Sequence, residues 1–556
     1  MDDWIKYLFL ESIICLILTI LLYFYYVRKG TNIIVSIVSI LTWFLTFVLI
    51  VLLPYDITFS MQNDSKKETK ETTIIKYIYA FDYWTIYILS WFVIPVIQSY
   101  EKSGYFNQKD KLKDAIKANL LFFAFFFIFG IVATVFLLFQ KGISVIDELP
   151  HLIILLSICW GLFQVFFLMG YSIIKLPTDL YSHYLYENRE RYFEWRIMDL
   201  KENLYEIKYK FNKHYNKLKN TKETIEKSSN SPLLPFKKNI NDLFNSIDKN
   251  TNVKDFPFSK EDFKIANNEK DLIKLNKKLK SEIIDFQRSN YLQNQIYQKW
   301  LLVISLIQLK KTKPEKESLS PELGNKKIKY LEISCFQKFY YLYIRQILIL
   351  ILMVIVVIFE IIILLSEIST CLSEIISFKY ILIFNKERIF LNHFIIIFQI
   401  LFLFYLCFYS LFQMKISFLC RIYGHRQTDS LSILFITYMM CNIGYPICIN
   451  FTQISKNENA KIYQIYGYKN LTGVSKTIFE KILRFYPFLL FVLIVLNYFN
   501  VINKIGSCMG ITSFTVKDED TLRNIDEGKE VLINLNKAYG NNFDKIKEVS
   551  NKIEIL

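Results

Sequence analysis

Residues 343–366 read YIRQILILILMVIVVIFEIIILLS, an apolar run interrupted by Arg345 near its start and Glu360 near its end. A helix crosses a hydrocarbon core of about 30 Å with about 20 apolar residues, so the run is long enough to span a membrane. Working outward, the same criterion marks further runs at 5–27, 32–53, 83–99, 119–139, 151–175, 389–412, 430–451 and 482–500, nine in all. The whole chain is 53% hydrophobic and 17% aromatic, with mean hydropathy +0.26, which excludes an ordinary soluble enzyme. Its net charge of +16 does not point to nucleic acid, because the positive-inside rule loads the cytoplasmic parts of membrane proteins with Lys and Arg. Nine cysteines contain no CxxC pair, so neither a zinc site nor a disulfide framework is indicated.

Charge also orients the spans. The first run follows Asp2 and Asp3 and ends at Arg28 and Lys29, which holds the N-terminus outside, in the manner of a signal anchor. Nine spans then put the C-terminus in the cytosol. On this orientation the short inside loops carry about 10 basic residues in about 40 positions, against about 13 in about 90 for the outside loops. The three N-x-S/T sequons, at Asn63, Asn450 and Asn470, all map outside. Asn63 and Asn470 are candidate glycosylation sites, whereas Asn450 lies too close to the membrane and is expected bare.

Between the fifth and sixth runs, residues 178–340 break the pattern with about 32 basic and 22 acidic side chains, a net of about +10. Phe193, Ile197, Leu200, Leu204, Ile207, Phe211, Tyr215 and Leu218 recur at spacings of four and three, the seam of a coiled-coil helix. Leu272, Leu275, Leu279, Ile283 and Phe286 repeat it. Breakers at Ser228–Pro235 separate the two arms, which predicts an antiparallel helical hairpin in the cytosol, and a second linker at Thr312–Asn325 leads to span six. Such arms act either as a charged spacer or as a docking surface for cytosolic proteins. The fold expected is all-α: a polytopic membrane protein of about nine transmembrane helices (1–177 and 341–500), a cytosolic coiled-coil insert (178–340) and a cytosolic tail (501–556).

Ionisable groups inside a span are costly, so each is a functional candidate. Glu360 is the foremost, with Asn392 and His393 at the start of span seven as its expected neighbours; Glu11, Gln164, Gln399 and Asn442 add polar groups. Each is either interhelical glue or part of a solute or proton path. Pro95, Pro446 and Pro487 should kink their spans, and at Gly444-Tyr445-Pro446 either an ordinary kink or a broken helix lining a cavity is expected. No phosphate-binding glycine loop, HExxH, GxSxG or metal-ligand spacing is present in the sequence, so no catalytic residue, metal or cofactor is assigned, and the chain is not expected to be an enzyme.

The run Trp84 to Phe106, WTIYILSWFVIPVIQSYEKSGYF, resembles the third span and following loop of the LIMR family of limb-region and lipocalin-receptor-like membrane proteins, and within it the limb region 1 domain-containing protein 2 branch. Four further stretches agree in order: Leu53-Pro54-Tyr55-Asp56; Trp160-Gly161-Leu162 with Gly170-Tyr171; His425-Arg426-Gln427-Thr428-Asp429 with Pro446 to Phe451; and Asp526-Glu527-Gly528-Lys529-Glu530. Lys175 and the 452–480 loop depart from the family pattern. The resemblance implies nine spans, an outside N-terminus and a cytosolic helical insert. It further implies a receptor or scaffold in the plasma membrane or endomembranes, linked to signalling from G-protein-coupled receptors, with the lipid bilayer and cytosolic proteins as partners through 178–340. A transporter or lipid-handling protein with a polar path near Glu360 is the alternative. No particular extracellular or lumenal ligand is implied.

Overall fold

The computed structural model describes residues 3–62, 69–141, 145–227, 233–250, 265–266, 268–311, 335–371, 389–413, 422–455, 457, 459–466, 473–499 and 519–539. Among them every regular element is a helix, joined by one isolated parallel bridge between Val27 and Thr428. In chain order these are α1 (Asp3–Tyr26), α2 (Ile33–Gln62), α3 (Lys70–Ile88), α4 (Ile94–Lys102), α5 (Gln108–Lys141), α6 (Val145–Tyr184), α7 (Tyr186–Lys227) and α8 (Lys237–Asn250). There follow α9 (Glu269–Lys311), α10 (Cys335–Phe339), α11 (Arg345–Cys371), α12 (Ile389–Gln413), α13 (Ser430–Ile454), α14 (Lys461–Tyr466), α15 (Gly473–Tyr498) and α16 (Glu519–Tyr539). Turns of π-helix, Leu89–Val93 and Tyr340–Ile344, lead into α4 and α11. Among the described residues eight helical stretches are long and apolar enough to cross a membrane, and they coincide with the first eight apolar runs. The ninth run falls in α15, whose apolar stretch, Phe485–Tyr498, is shorter.

The chain divides into two compact units. The first comprises Met1–Glu101, Asp114–Thr178 and Val354–Ile511. Its middle is α2, which packs against α1, α3, α12, α13 and α14, and buries Leu49, Leu52, Leu53 and Ile57 completely. In α11 only 11% of the most apolar window is buried, against 78% in α13, so α11 turns most of its side chains to hydrocarbon while α13 lies in the protein interior. Small residues set the closest approaches. A Cβ on Gly161 of α6 would lie 2.4 Å from the Asn442 carbonyl oxygen, and one on Gly170 would lie 2.8 Å from Leu493 Cβ. Tyr486 Oη donates to the Cys159 carbonyl at 2.7 Å and Asn497 Nδ2 to the Tyr171 carbonyl at 3.0 Å, fixing α15 on α6.

A second joint ties the two ends of this unit's sequence. The loop before α13 wraps the end of α1, where Arg426 N donates to the Tyr25 carbonyl (2.8 Å), Arg426 Nε to Phe24 (3.1 Å) and Thr428 N to Tyr26 (3.0 Å). The last carbonyls of a helix have no partners of their own, and a cation is favourable there. To reach them, His425 and Arg426 adopt φ of 57° and 61°, a left-handed conformation costing about 1 kcal/mol or more for residues with a side chain. Asp429 then caps α13 by accepting from Ser432 N.

The second unit comprises Lys102–Lys113, Asp179–Met353 and Thr512–Leu556. Here α7 and α9 run antiparallel: Phe193, Ile197 and Leu200 pack with Tyr297, Trp300 and Ile304, while Phe211, Tyr215 and Leu218 pack with Leu272, Leu275 and Leu279. Two features lie beyond the heptad reading. Helix α8 adds Ile240, Leu243 and Ile247 to one cluster, and α16 adds Leu532 and Ile533 to the other, so α16 of the tail shares a core with α7 and α9. The loop Ser103 to Phe106 also belongs here, with Asn276 Nδ2 donating to the Gly104 carbonyl at 2.7 Å and Phe106 packed beside Phe236.

Gly161→Ala is expected to lower stability by about 1–3 kcal/mol, because the methyl overpacks against backbone. Gly130→Ala, whose Cβ would meet nothing within 4 Å, should leave stability unchanged or raise it, as measured by thermal unfolding in detergent.

Candidate functional site

In the first unit the polar groups gather along α2, α3, α13 and α14. Asp56 is fully buried and accepts from the backbone N–H groups of Lys461 (2.8 Å) and Ile462 (2.9 Å), which fixes the start of α14. That places Tyr466 so that its hydroxyl donates to the Tyr79 carbonyl (3.0 Å) and its ring stacks on Tyr83 at 4.5 Å between centroids. Tyr445 donates to the same carbonyl (3.0 Å) and to Asp82 Oδ2 (2.9 Å). Asp82 is buried and its other oxygen, Oδ1, has no hydrogen-bond partner.

A cavity of about 30 Å³ opens beside this group, lined among others by Tyr83, Ser90, Trp91, Ser157, Asn442 and Pro446. Its shape follows from the backbone where α3 passes into α4: Pro95 of α4 has no N–H to give, and the preceding π turn, Leu89–Val93, widens the helix where Ser90 and Trp91 face the space. Helix α13 runs unbroken through Gly444-Tyr445-Pro446, so, of the kink and the broken helix weighed there, the helix stays continuous beside the cavity. Ser90 Oγ reaches Asn442 Oδ1 at 3.4 Å, and Asn442 Nδ2 is buried without a partner. The volume suits one or two waters, and these polar atoms are the partners such waters require.

The residues expected from sequence fall into different places. Glu360 is buried on α11 with Oε1 lacking a partner, beside Phe359, whose ring meets Phe398 and Phe402 of α12. His393 pairs elsewhere: Nε2 lies 3.1 Å from Glu11 Oε1, whose Oε2 accepts from Tyr55 Oη at 3.2 Å, and its ring stands 4.4 Å from Tyr55. Asn392 is buried near the start of α12. Two turns beyond Glu360, Glu367 accepts from Asn450 Nδ2 at 2.6 Å, so the one described sequon nitrogen is engaged inside the protein. Asn63 and Asn470 lie outside the described residues. Asp56 and Asp82 escaped the sequence reading because the expected spans stopped at 53 and began at 83. The signal was present in Leu53-Pro54-Tyr55-Asp56 and in an apolar period that, with hindsight of α3, extends back to Lys70.

In the second unit, Gly528 of α16 meets Glu194 so closely that a Cβ would lie 1.9 Å from the Glu194 carbonyl oxygen. Glu194 is buried, and Trp300 Nε1 donates to its Oε1 at 3.5 Å. Burial pushes its carboxyl up to about 7, with Glu190 and Asp526 adding to the shift and Lys529 and Trp300 opposing it.

An all-helical polytopic membrane protein is thus the class that the fold and its polar joints define. The chain matches the LMBR1-like membrane protein family over residues 5–502, and it belongs to that family. It is 24% identical to human G-protein coupled receptor-associated protein LMBRD2, over 91% of this chain and 79% of the relative. Its Caenorhabditis briggsae counterpart is 23% identical over 94% and 85%, and LMBR1 domain-containing protein 2 homolog A of Dictyostelium discoideum 21% over 86% and 64%. No solved structure matches the chain significantly.

Tyr445→Phe should cost about 1–3 kcal/mol, since it leaves the buried Asp82 carboxyl without its donor; Tyr466→Phe, which removes one of two donors to the Tyr79 carbonyl, should cost less. Thermal midpoints of the purified variants give the comparison. For Glu194 the folded state favours the protonated form, so its contribution is complete below the usual Glu range near 4.5 and is lost as pH rises through about 7. Protection of 519–539, corrected for the intrinsic pH dependence of amide exchange, should therefore be higher at pH 6 than at pH 8 by about 1–2 kcal/mol, and Glu194→Gln should flatten that difference.

Proposed function

We propose that the chain is a non-catalytic membrane scaffold linked to receptor signalling or trafficking, with its N-terminus outside or lumenal and its second unit and C-terminus cytosolic, in the plasma membrane or endomembranes. The observation that carries this reading is the second unit itself: a helical core shared by α7, α8, α9 and α16, presenting Tyr205 and Tyr209 one turn apart on α7, 76% and 61% exposed. Exposed tyrosines at that spacing form the kind of aromatic anchor that protein partners use. The name of the relatives, G-protein coupled receptor-associated protein, supports a receptor as one partner. Charge distribution along the loops supports the orientation.

The transport alternative rests on Glu360, whose Oε1 is buried without a partner. Against it, the cavity beside Asn442 takes a water or two rather than a solute, and Glu11, Asp56, Asp82 and Glu367 of that unit each bond to a neighbouring helix. Polar contacts of this kind join helices in lipid.

Full-length protein with Tyr205→Ala and Tyr209→Ala should recover co-expressed G-protein-coupled receptor severalfold less in pull-downs, while Glu360→Gln leaves recovery unchanged and alters no flux in liposomes. Flux that falls with Glu360→Gln would support transport instead. A tag inserted at residue 230 and reached by antibody on intact cells would overturn the orientation.

A further inference from the structure

Where α6 ends and α11 begins, the second unit gathers cations with little to neutralise them. Arg189 lies one turn into α7 and Arg345 opens α11; His183 of α6 stands within electrostatic range of both, and Lys299 of α9 within range of Arg189 and His183. The two guanidinium groups are held in place. Arg345 lies over the Tyr186 ring at 5.6 Å and its Nη2 donates to the His183 carbonyl at 3.4 Å; Arg189 lies over Phe193 at 5.8 Å. Tyr186 in turn donates to the Tyr341 carbonyl, anchoring α7 to the π turn that precedes Arg345.

Two donors of the cluster lack an acceptor. Arg189 Nε and Arg345 Nη1 are both buried with no hydrogen-bond partner, and a guanidinium can only donate. Asp179, which acts on His183, is the carboxylate in range. Burial and the neighbouring Arg345 bring Arg189 down to about 10, and burial and Arg189 likewise lower Lys299. Two buried donors on neighbouring arginines, fixed by aromatic rings, match the oxygens of a phosphate, for which paired N–H groups give directional bonds. The ends of two membrane-crossing helices are also where lipid phosphates lie.

We infer that Arg189 and Arg345, assisted by Lys299, bind the phosphate of an anionic membrane phospholipid. The interaction would satisfy the two orphaned donors and relieve the repulsion among the cations. It is independent of the receptor-linked reading.

The test uses the full chain in nanodiscs of phosphatidylcholine alone or with phosphatidic acid or phosphatidylserine. Wild type should gain thermal stability in both anionic discs and keep an anionic lipid in native mass spectra after delipidation. Arg189→Gln/Arg345→Gln should keep at least tenfold less lipid and gain no stability from anionic discs, whereas Lys237→Ala/Lys238→Ala on α8 should match wild type. In phosphatidylcholine alone Arg189→Gln should be at least as stable as wild type, because one repelling charge is gone. If the double variant does not fold, Arg189→Lys and Arg345→Lys, which keep charge but lose the fork, should each weaken retention. Equal retention by wild type and variants, or equal loss in the α8 control, would overturn the site. Stabilisation by inorganic phosphate in phosphatidylcholine discs as large as that by anionic lipid would overturn the lipid assignment in favour of a soluble anion.

Discussion

Within a hydrocarbon layer a polar group has only protein to bond to, and the first unit is organised by that constraint. Every unpaired donor or acceptor costs more there than in water, so the polar side chains of the spans are drawn to one another and to exposed backbone groups. Asp56 reaches the N–H groups opening α14, Tyr445 and Tyr466 converge on one carbonyl of α3, and Asn119 spans α4 and α5 by donating to Ser99 Oγ at 3.0 Å and to the Pro95 carbonyl at 3.3 Å. The Asn119 contact shows the logic in small: one side-chain amide of α5 bonds both a hydroxyl and a backbone carbonyl of α4.

The stretches that carry the family resemblance occupy such joints. Leu53-Pro54-Tyr55-Asp56 ends in the carboxylate that holds α14. Gly161 and Gly170 admit α13 and α15 against α6. His425 to Asp429 closes over α1 and caps α13, and Gly104 and Gly528 let chain approach α9 and α7 more closely than any side chain would allow. The residues that carry the likeness to the LMBR1-like family are therefore visible in this chain as a set of contacts.

Much of this was legible in the residues, and the remainder was hidden for identifiable reasons. Apolar length located eight long helices among the described residues because hydropathy is a local property, and the four-and-three spacing of Phe193 to Leu218 located α7 because it repeats within one helix. Pairings were not legible. Glu11 and His393 are 382 positions apart, and nothing near either residue names the other. Glu360 drew notice because it interrupts a run, yet Asp56 and Asp82 do as much from the margins of their runs. The docking of α16 was equally silent, since an amphipathic helix declares that it has a partner but not which surface receives it.

The loop that closes over α1 bears on how the chain is made. Synthesis proceeds from the N-terminus, so α1 and α2 emerge long before Arg426 and Thr428 exist. Until some four hundred further residues have been translated, the Phe24, Tyr25 and Tyr26 carbonyls must rely on interfacial water or an assisting factor. The clasp is thus a late checkpoint of biogenesis: the first span reaches its final bonding only when the eighth is in place, and a chain truncated before residue 426 would retain an unfinished helix end at its start.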